Sequence, residues 1–287
     1  MLGAIIGDIA GSRFEWNNIK TKKFDFFTRR CKFTDDSVMS LAVAKALLDC
    51  GDDYSTLGEA AIASMRNIGR LYPNCGYGGM FRQWISSNVP KPYGSYGNGA
   101  AMRVSACGFA ARTIKEAIML SRKVTEITHN HPEGIKGAEA TAVCVFLARG
   151  GRNMREIRDC VNERYYPMDF TLDGIRDSYA FDVTCQGTVP QAIMAFLESF
   201  GFEDAVRNAI SIGGDSDTLA AIAGGIAGAC YGVPDDIHKR AVTFLDKRLL
   251  KILTDFQTSF PARAEKESGR QDDRDEREQG YDGAAEH

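Results

Sequence analysis

Two short acidic clusters lie near opposite ends of this 287-residue chain, and their side chains suit the binding of hard cations. The first cluster comprises Thr34, Asp35 and Asp36, and the second comprises Asp215, Asp217 and Thr218. Each joins two carboxylates to a threonine hydroxyl, and neither contains a lysine or an arginine. Divalent ions such as Mg²⁺ and Mn²⁺ prefer all-oxygen ligand sets. The clusters therefore predict a two-metal hydrolytic site, which forms if the fold brings both ends of the chain together.

Helix capping is a second explanation for the same acids. Asp35 and Asp215 each precede a long apolar stretch, so each can act as an N-cap, while Asp36 and Asp217 suit the positive end of a helix dipole. Capping does not explain the glycine pair that stands directly before Asp215. Metal binding and capping are compatible, and we expect both.

Two further acids, Asp8 and Glu15, are separated by seven positions in the segment before the first cluster. Seven residues make nearly two turns of the helix predicted over residues 2–16, so both acids lie on one predicted face. We interpret Asp8 as a buried polar group that bonds to nearby backbone. Glu15 stands at the predicted helix end, where its carboxylate can reach a site formed by the two clusters.

A glycine-rich loop over residues 95–103 and a pair of histidines are the remaining candidate ligand-binding segments. Backbone N–H groups at the junction of such a loop with a helix can bind an anion, and the glycines allow a diphosphate to approach. The spacing matches neither a P-loop nor a dinucleotide fingerprint, so the loop alone is a weak signal. His129 and His131 lack a third zinc ligand at the usual spacing. His129 either contacts substrate or bonds to a helix end.

Helical periodicity dominates the elements that must position these residues, and we predict an all-α domain over residues 1–260. Caps are expected at Ser55 or Thr56, at Thr113 with Glu116, and at Thr188 before Pro190. Only residues 24–27 and 210–212 resemble strands. The predicted helices span residues 2–16, 36–49, 56–70, 79–87, 99–112, 115–128, 133–150, 154–164, 189–199, 203–211, 216–231 and 235–257. Small residues in the helix after the second cluster, Gly224 and Gly228, are expected to let a neighbouring backbone approach.

Composition excludes several classes of protein. The net charge of −3 gives no bulk attraction to nucleic acid, so no stable nucleic-acid binding is expected. Residues 262–287 contain nine acidic and five basic residues with few large apolar ones, and we predict a disordered tail over residues 261–287. The eight scattered cysteines and the lack of a secretory signal predict a reduced, cytoplasmic protein. No stretch is long enough to cross a membrane, and a monomer is expected.

The motifs together resemble those of an ADP-ribosylglycohydrolase of the dinitrogenase-reductase-activating type, over about residues 1–258. The resemblance implies a compact, orthogonal multi-helix fold that encloses two Mg²⁺ or Mn²⁺ ions and acts on an ADP-ribosylated protein. It implies metal ligands at Thr34, Asp35, Asp36, Asp215, Asp217 and Thr218. Catalytic carboxylates are implied at Glu15, Asp35, Asp36 and Asp215, with the proton acceptor left open among them. Substrate contacts are implied at Ser95, Tyr96, Gly97, Asn98, Gly99, Met102 and His129.

Hydrolysis of the bond between ADP-ribose and its acceptor is the reaction that the resemblance implies. The metals would activate water, and an acidic pocket would stabilise an oxocarbenium-like transition state. The loop that begins at Cys75 lacks an acid found in some members, and the acceptor stays open. Two alternatives are a degenerate ADP-ribose-binding or structural module and, less favoured because the threonine spacing is wrong, a metal-dependent phosphatase.

Overall fold

The alanine-rich apolar stretches of the sequence form helices, as their periodicity predicts. A computed structural model describes residues 1–261, and this range contains fourteen α-helices, three short 3₁₀ helices and no strand. The all-α class is therefore confirmed. The α-helices are α1 (Leu2–Gly11), α2 (Asp35–Cys50), α3 (Leu57–Gly69), α4 (Gly79–Ser86), α5 (Ser105–Ala110), α6 (Ile114–Thr125), α7 (Pro132–Arg149), α8 (Met154–Arg164), α9 (Leu172–Ile175), α10 (Cys185–Leu197), α11 (Phe202–Ser211), α12 (Ser216–Cys230), α13 (Asp235–Ala241) and α14 (Lys247–Ser259). The 3₁₀ helices span Tyr54–Thr56, Asn98–Ala100 and Val242–Phe244.

Helices α1 and α12 form the centre of the core, and small residues let their backbones approach. Every residue of α1 is buried. A Cβ atom at Gly3 would lie 2.1 Å from the Gly224 carbonyl oxygen, and one at Gly7 would lie 1.9 Å from that of Ala220. A Cβ at Gly11 would lie 2.6 Å from the α carbon of Asp217. These glycines recur every four residues and so line one face of α1. The expectation that small residues in α12 permit close approach is confirmed.

This packing brings the two acidic clusters together. Asp217 lies in the first turn of α12, next to Gly11, and Asp36 lies in the first turn of α2. Helix α2 packs against α1 as well as against α3 and α14. The positive ends of the α2 and α12 dipoles therefore face the same region, where they favour negative charge. Within residues 1–261, no helix combines the length and hydropathy needed to cross a bilayer.

The first predicted helix is shorter than expected. Helix α1 ends at Gly11 rather than at residue 16, and the chain turns so that Phe14 enters the core. Asp8 and Glu15 therefore do not share a helix face, and that prediction was wrong. Glu15 instead lies in the irregular connection to α2.

The helix predicted over residues 99–112 is divided. Residues Asn98–Ala100 form a 3₁₀ turn, and α5 begins only at Ser105. The N–H groups of Ala100 and Ala101 bond to carbonyls three residues back, which is the 3₁₀ pattern. The glycine-rich loop therefore enters a tight turn rather than an α-helix.

Helix α10 begins earlier than predicted, because a different threonine caps it. The Thr184 hydroxyl accepts the Gly187 N–H at 3.1 Å, so Thr184 rather than Thr188 is the N-cap. The Thr188 hydroxyl donates to the Asp182 carbonyl instead. Pro190 consequently lies inside the helix rather than in its first turn.

The remaining differences are at other helix ends. The predicted helix 235–257 is two helices, α13 and α14, and the Asp246 side chain caps the second. The short helix α9 was not predicted, and residues 210–212 and 24–27 form no strand. The Thr113 cap is confirmed, whereas Thr56 precedes α3 without a side-chain cap bond. The predicted disordered tail lies outside the described residues, apart from Pro261.

Candidate active site

A cleft of about 360 Å³ opens where the N-termini of α2 and α12 meet the glycine-rich loop. Its volume is at the lower end of the range typical of small-ligand sites. Most of the predicted site residues line it. These are Glu15, Asp35, Asp36, Ser95, Gly97, Asn98, Gly99, Met102, His129, Asp215, Asp217 and Thr218. The two acidic clusters, separated by about 180 positions in the sequence, thus face one cavity.

Asp8 lies beneath this cleft and holds the N-terminus of α2. Its carboxylate accepts hydrogen bonds from the backbone N–H groups of Thr34 at 2.9 Å and Ser37 at 3.0 Å. It also accepts from the hydroxyls of both residues. The interpretation of Asp8 as a buried group bonded to nearby backbone agrees with these contacts. Thr34, a predicted metal ligand, does not line the cleft, because its hydroxyl points to Asp8.

Asp36 is the acid best placed to bind a cation. Its Oδ2 atom accepts from Thr218 Oγ1 at 3.3 Å and lies 3.5 Å from Thr34 Oγ1. Its Oδ1 atom is buried and has no hydrogen-bond partner. Oxygen atoms of Asp8, Asp36 and Asp217 all lie within 4.8 Å of one another. An unpartnered buried carboxylate oxygen beside two more carboxylates fits a divalent ion.

A second group of acids adjoins the first and shares Asp217 with it. Oxygen atoms of Glu15, Asp215 and Asp217 lie within 4.8 Å of one another. Asp215 stands at the N-cap position of α12 without making a cap bond, so its carboxylate is free to face the cleft. The Asn98 amide donates to Asp215 Oδ2 at 2.7 Å and ties the glycine-rich loop to this group. Each of the two acid groups could hold a metal ion, and Asp217 belongs to both.

Asp35 has a different position from the one that capping predicts. It is the first residue of α2, and the Thr34 hydroxyl, which accepts the Asp36 N–H, occupies the N-cap position. The Asp35 N–H donates to the Cys75 carbonyl at 2.8 Å. A Cβ atom at Gly76 would lie 2.6 Å from Asp35 Oδ1. The acid-free loop after Cys75 thus lies directly against this carboxylate.

The electrostatics of the cleft favour the neutral acids unless a cation is present. Burial raises the pKa of Glu15 to about 7, and burial together with the charge of Asp8 raises that of Asp35 to about 7. Burial and repulsion from neighbouring acids raise the pKa of Asp36 and Asp217 well above the usual range. Carboxyl groups this crowded resist ionisation, because the negative charges repel one another. A bound divalent cation would favour the ionised carboxylates instead.

The glycine-rich loop and His129 form another part of the cleft lining, and the buried Arg103 side chain lies against His129. The Arg103 guanidinium donates to the Thr128 hydroxyl at 2.6 Å and lies 3.5 Å from His129 Nδ1. Burial and the Arg103 charge lower the pKa of His129 well below its ordinary value, so the ring is neutral. Its Nε2 atom faces Gly97 and Gly99, where added Cβ atoms would lie 3.7 and 3.4 Å away. His129 therefore lies beside the glycine-rich loop and lines the cleft.

Several cleft residues have no signal in the sequence. Trp16 and Phe181 line the cleft and stack with ring centroids 5.1 Å apart, and the exposed Val183 and Met80 line it as well. Their contacts join segments far apart in the chain, so no local pattern could reveal them. Tyr96, a predicted substrate contact, is 44% exposed, does not line the cleft, and lies against His131.

The carboxylate-lined cleft suits glycoside hydrolysis, because carboxylates stabilise an oxocarbenium-like transition state. The model of the ADP-ribosylglycohydrolase family matches residues 1–265, and the chain belongs to this family. The resemblance stated from the sequence motifs is thereby confirmed.

Three characterised relatives illustrate the similarity. The chain is 31% identical to ADP-ribosyl-(dinitrogen reductase) glycohydrolase of Rhodospirillum rubrum, with 76% of this chain and 75% of the relative covered. It is 27% identical to ADP-ribosylarginine hydrolase Tri1 of Pseudomonas putida (strain GB-1), with 81% and 70% covered. It is 26% identical to ADP-ribosylhydrolase ARH3 of Xenopus tropicalis, with 81% and 86% covered. A solved structure, described as an ADP-ribosylglycohydrolase-related protein complex, shares the fold with a TM-score of 0.65 at 21% identity, covering 90% of this chain and 96% of the other.

Proposed function

We propose that this enzyme uses two Mg²⁺ or Mn²⁺ ions to hydrolyse the glycosidic bond between ADP-ribose and a protein side chain, reversing mono-ADP-ribosylation. The observation that carries the proposal is the pair of acid groups that share Asp217. One contains Asp36 with its unpartnered Oδ1 atom, and the other contains Glu15 and Asp215. Family membership supports the reaction class.

The ligands that we propose for the two ions are the residues of the two acidic clusters. They are Thr34, Asp35, Asp36, Asp215, Asp217 and Thr218. When bound, divalent ions lower the pKa of water and offset the repulsion among the carboxylates. The Thr34 and Thr218 hydroxyls lie 3.5 and 3.3 Å from Asp36 Oδ2, and so they are candidates to contribute to an oxygen-only ligand set.

The chain's own carboxylates supply the proton transfer. Glu15 and Asp35 both line the cleft and are candidate acceptors for the proton of the attacking water. Asp36 and Asp215 are alternative proton acceptors for the attacking water. Positive charge that develops on the ribose in the transition state is stabilised by these groups more than the neutral ground state is.

The glycine-rich loop and His129 are the proposed substrate-binding wall. Ser95, Gly97, Asn98, Gly99 and Met102 line the cleft together with His129, which suits the diphosphate and adenosine side of the substrate. Tyr96, the exposed residue between Ser95 and Gly97 of this loop, stays a proposed substrate contact. A neutral His129 can bond to the substrate without adding charge.

A substrate panel tests the proposal. The full chain is incubated with Mn²⁺ or Mg²⁺ and, separately, with ADP-ribosyl-arginine, ADP-ribosyl-serine or p-nitrophenyl phosphate. We expect free ADP-ribose from at least one of the first two substrates and none after chelation with EDTA. A folded protein that binds metal and ADP-ribose without releasing product would be a binding module. Phosphate release alone would identify a phosphatase.

Single-residue variants locate the activity in this cleft. Asp35→Ala and Asp217→Ala should lower the rate by at least about 10³-fold while the far-ultraviolet circular dichroism stays helical. Asp169→Asn is the matched control, because Asp169 is exposed and lies outside the cleft. Full activity in either cleft variant would contradict the proposed site.

We further propose that residues 1–260 form the catalytic domain and that the chain acts as a cytoplasmic monomer on ADP-ribosylated proteins. None of the eight cysteines forms a disulfide, which suits a reducing compartment. Size-exclusion chromatography with light scattering tests the oligomeric state, because a dimer would double the 31.5 kDa mass of the chain.

A further inference from the structure

The segment that carries Glu15 has no regular structure of its own. It follows the end of α1 at Gly11, and residues 12–34 form only turns and bends before α2 begins. Glu15 is nevertheless held within 4.8 Å of Asp215 and Asp217, two carboxylates that repel it. Something other than a helix must therefore hold this side chain in place.

Asn18 connects this segment to the second acidic cluster. Its amide nitrogen lies 2.7 Å from the Phe14 carbonyl, 3.0 Å from the Glu15 carbonyl and 2.8 Å from the Gly214 carbonyl. Its amide oxygen accepts the Gly214 N–H at 2.8 Å. One side chain thus bonds to the backbone of Glu15 and also to the residue directly before Asp215, 196 positions away.

The Gly214 side of this connection is itself rigid. Gly214 has a φ of +74°, which strongly favours glycine, and an added Cβ atom would lie 2.4 Å from the Tyr179 ring. Lys20 braces the same region, because its ammonium donates to the carbonyls of Tyr179 at 2.7 Å and Ile212 at 2.6 Å. Asn18 therefore attaches a segment without regular secondary structure to the turn at Gly214.

We infer that Asn18 is a positioning residue that fixes the Glu15 carboxylate relative to Asp215. The expected effect on kcat rests on the proposed function, whereas the connection between the Glu15 segment and Gly214 does not. Asn18 is exposed and outside the core, so its removal should leave the fold intact. The reacting geometry would change, because the Glu15 segment would lose both hydrogen bonds to Gly214. Misplacement of a catalytic group by about 1 Å can cost on the order of 10²-fold in rate.

The matched pair Asn18→Ala and Asn17→Ala tests the inference. Asn17 is the exposed neighbour, and its side chain makes no hydrogen bond within the described residues. We expect Asn18→Ala to lower kcat by about 10- to 100-fold with KM changed less than about threefold. Asn17→Ala should retain the wild-type kcat. Equal activity of the two variants would overturn the inference.

A double-mutant cycle separates positioning from general damage. In a Glu15→Gln background the group that Asn18 positions is already disabled, so adding Asn18→Ala should change kcat less than about twofold. If Asn18→Ala lowers kcat by the same factor in both backgrounds, it does not act through Glu15, and the inference fails.

Hydrogen exchange gives a readout that does not depend on turnover. The Gly214 N–H donates to Asn18, so its exchange measured by NMR should become at least about 10-fold faster in Asn18→Ala and stay unchanged in Asn17→Ala. Unchanged Gly214 exchange in Asn18→Ala would refute the connection even in an inactive enzyme. Faster exchange in a protein that never releases ADP-ribose would instead refute the proposed function and leave the connection supported.

Discussion

Replacing Asp8 should destabilise the protein and replacing Asp36 should not, although both are buried acids of one group. Asp8→Ala removes the acceptor of two backbone N–H groups, those of Thr34 and Ser37, in the first turn of α2. A buried donor left without a partner costs about 1–3 kcal/mol, so two cost about 2–6 kcal/mol. Removing a buried charge whose pKa is already raised returns part of this cost. We expect a net loss of about 3 kcal/mol in the free energy of unfolding.

Asp36→Asn is the contrasting variant, because Asp36 Oδ1 has no partner and burial already opposes its charge. The amide keeps the side-chain volume and can donate to Asp8 or Asp217. We expect the metal-free protein to gain stability or to stay within about 0.5 kcal/mol of wild type. Urea denaturation in EDTA, followed by circular dichroism, measures both variants. The reasoning is refuted if Asp8→Ala costs less than about 1 kcal/mol, or if Asp36→Asn costs as much as Asp8→Ala.

The remaining predictions concern pH, packing and the tail. The pKa values of Asp35 and Glu15 are raised from 3.8 and 4.5 to about 7 on folding, so their contribution to stability is complete below about pH 4 and is lost as the pH rises through 7. At pH 8 these carboxyl groups are ionised and repel one another, and a bound cation offsets that repulsion. Calorimetry should therefore show that Mn²⁺ raises the Tm more at pH 8 than at pH 5.5. Gly7→Ala should cost about 3 kcal/mol or more in urea denaturation, because its Cβ would meet backbone 1.9 Å away, whereas Gly58→Ala, with its nearest atom at 3.7 Å, should be neutral or stabilising. Deleting residues 262–287 should leave ADP-ribose release unchanged, and a tenfold loss would contradict this.

The acidic composition of the cleft was predictable because it depends on residue types within short segments. Two carboxylates and a threonine in each cluster indicate an oxygen-ligand site wherever the fold places them. The close approach of α1 and α12 could be expected in part, because small residues such as Gly224 recur in a helix that is otherwise apolar. The partner of that helix could not be named, since the glycines of α1, such as Gly7, find their contacts more than 200 residues away.

The helix ends that sequence reasoning missed are set by contacts that a local pattern does not contain. Thr184 and Thr188 both resemble caps for α10, and the choice is made by Asp182, whose carbonyl accepts the Thr188 hydroxyl. The end of α1 was also missed, because residues 12–16 carry no glycine or proline that would stop a helix. The turn after Gly11 lets Phe14 pack in the core, and this is a tertiary effect.

The helix ends explain how a fold can hold so many acids in one place. The only lysine or arginine side chain that lines the cleft within residues 1–261 is Arg103, and its guanidinium is bonded to the Thr128 hydroxyl. Opposite charge therefore does not neutralise Asp36 and Asp217. Backbone N–H groups and the positive dipole ends of α2 and α12 offset part of their repulsion. Because this offset is partial, the pKa values of Asp36 and Asp217 stay high. A divalent cation that binds between these carboxylates would remove the remaining repulsion, and this relief contributes to the free energy of metal binding.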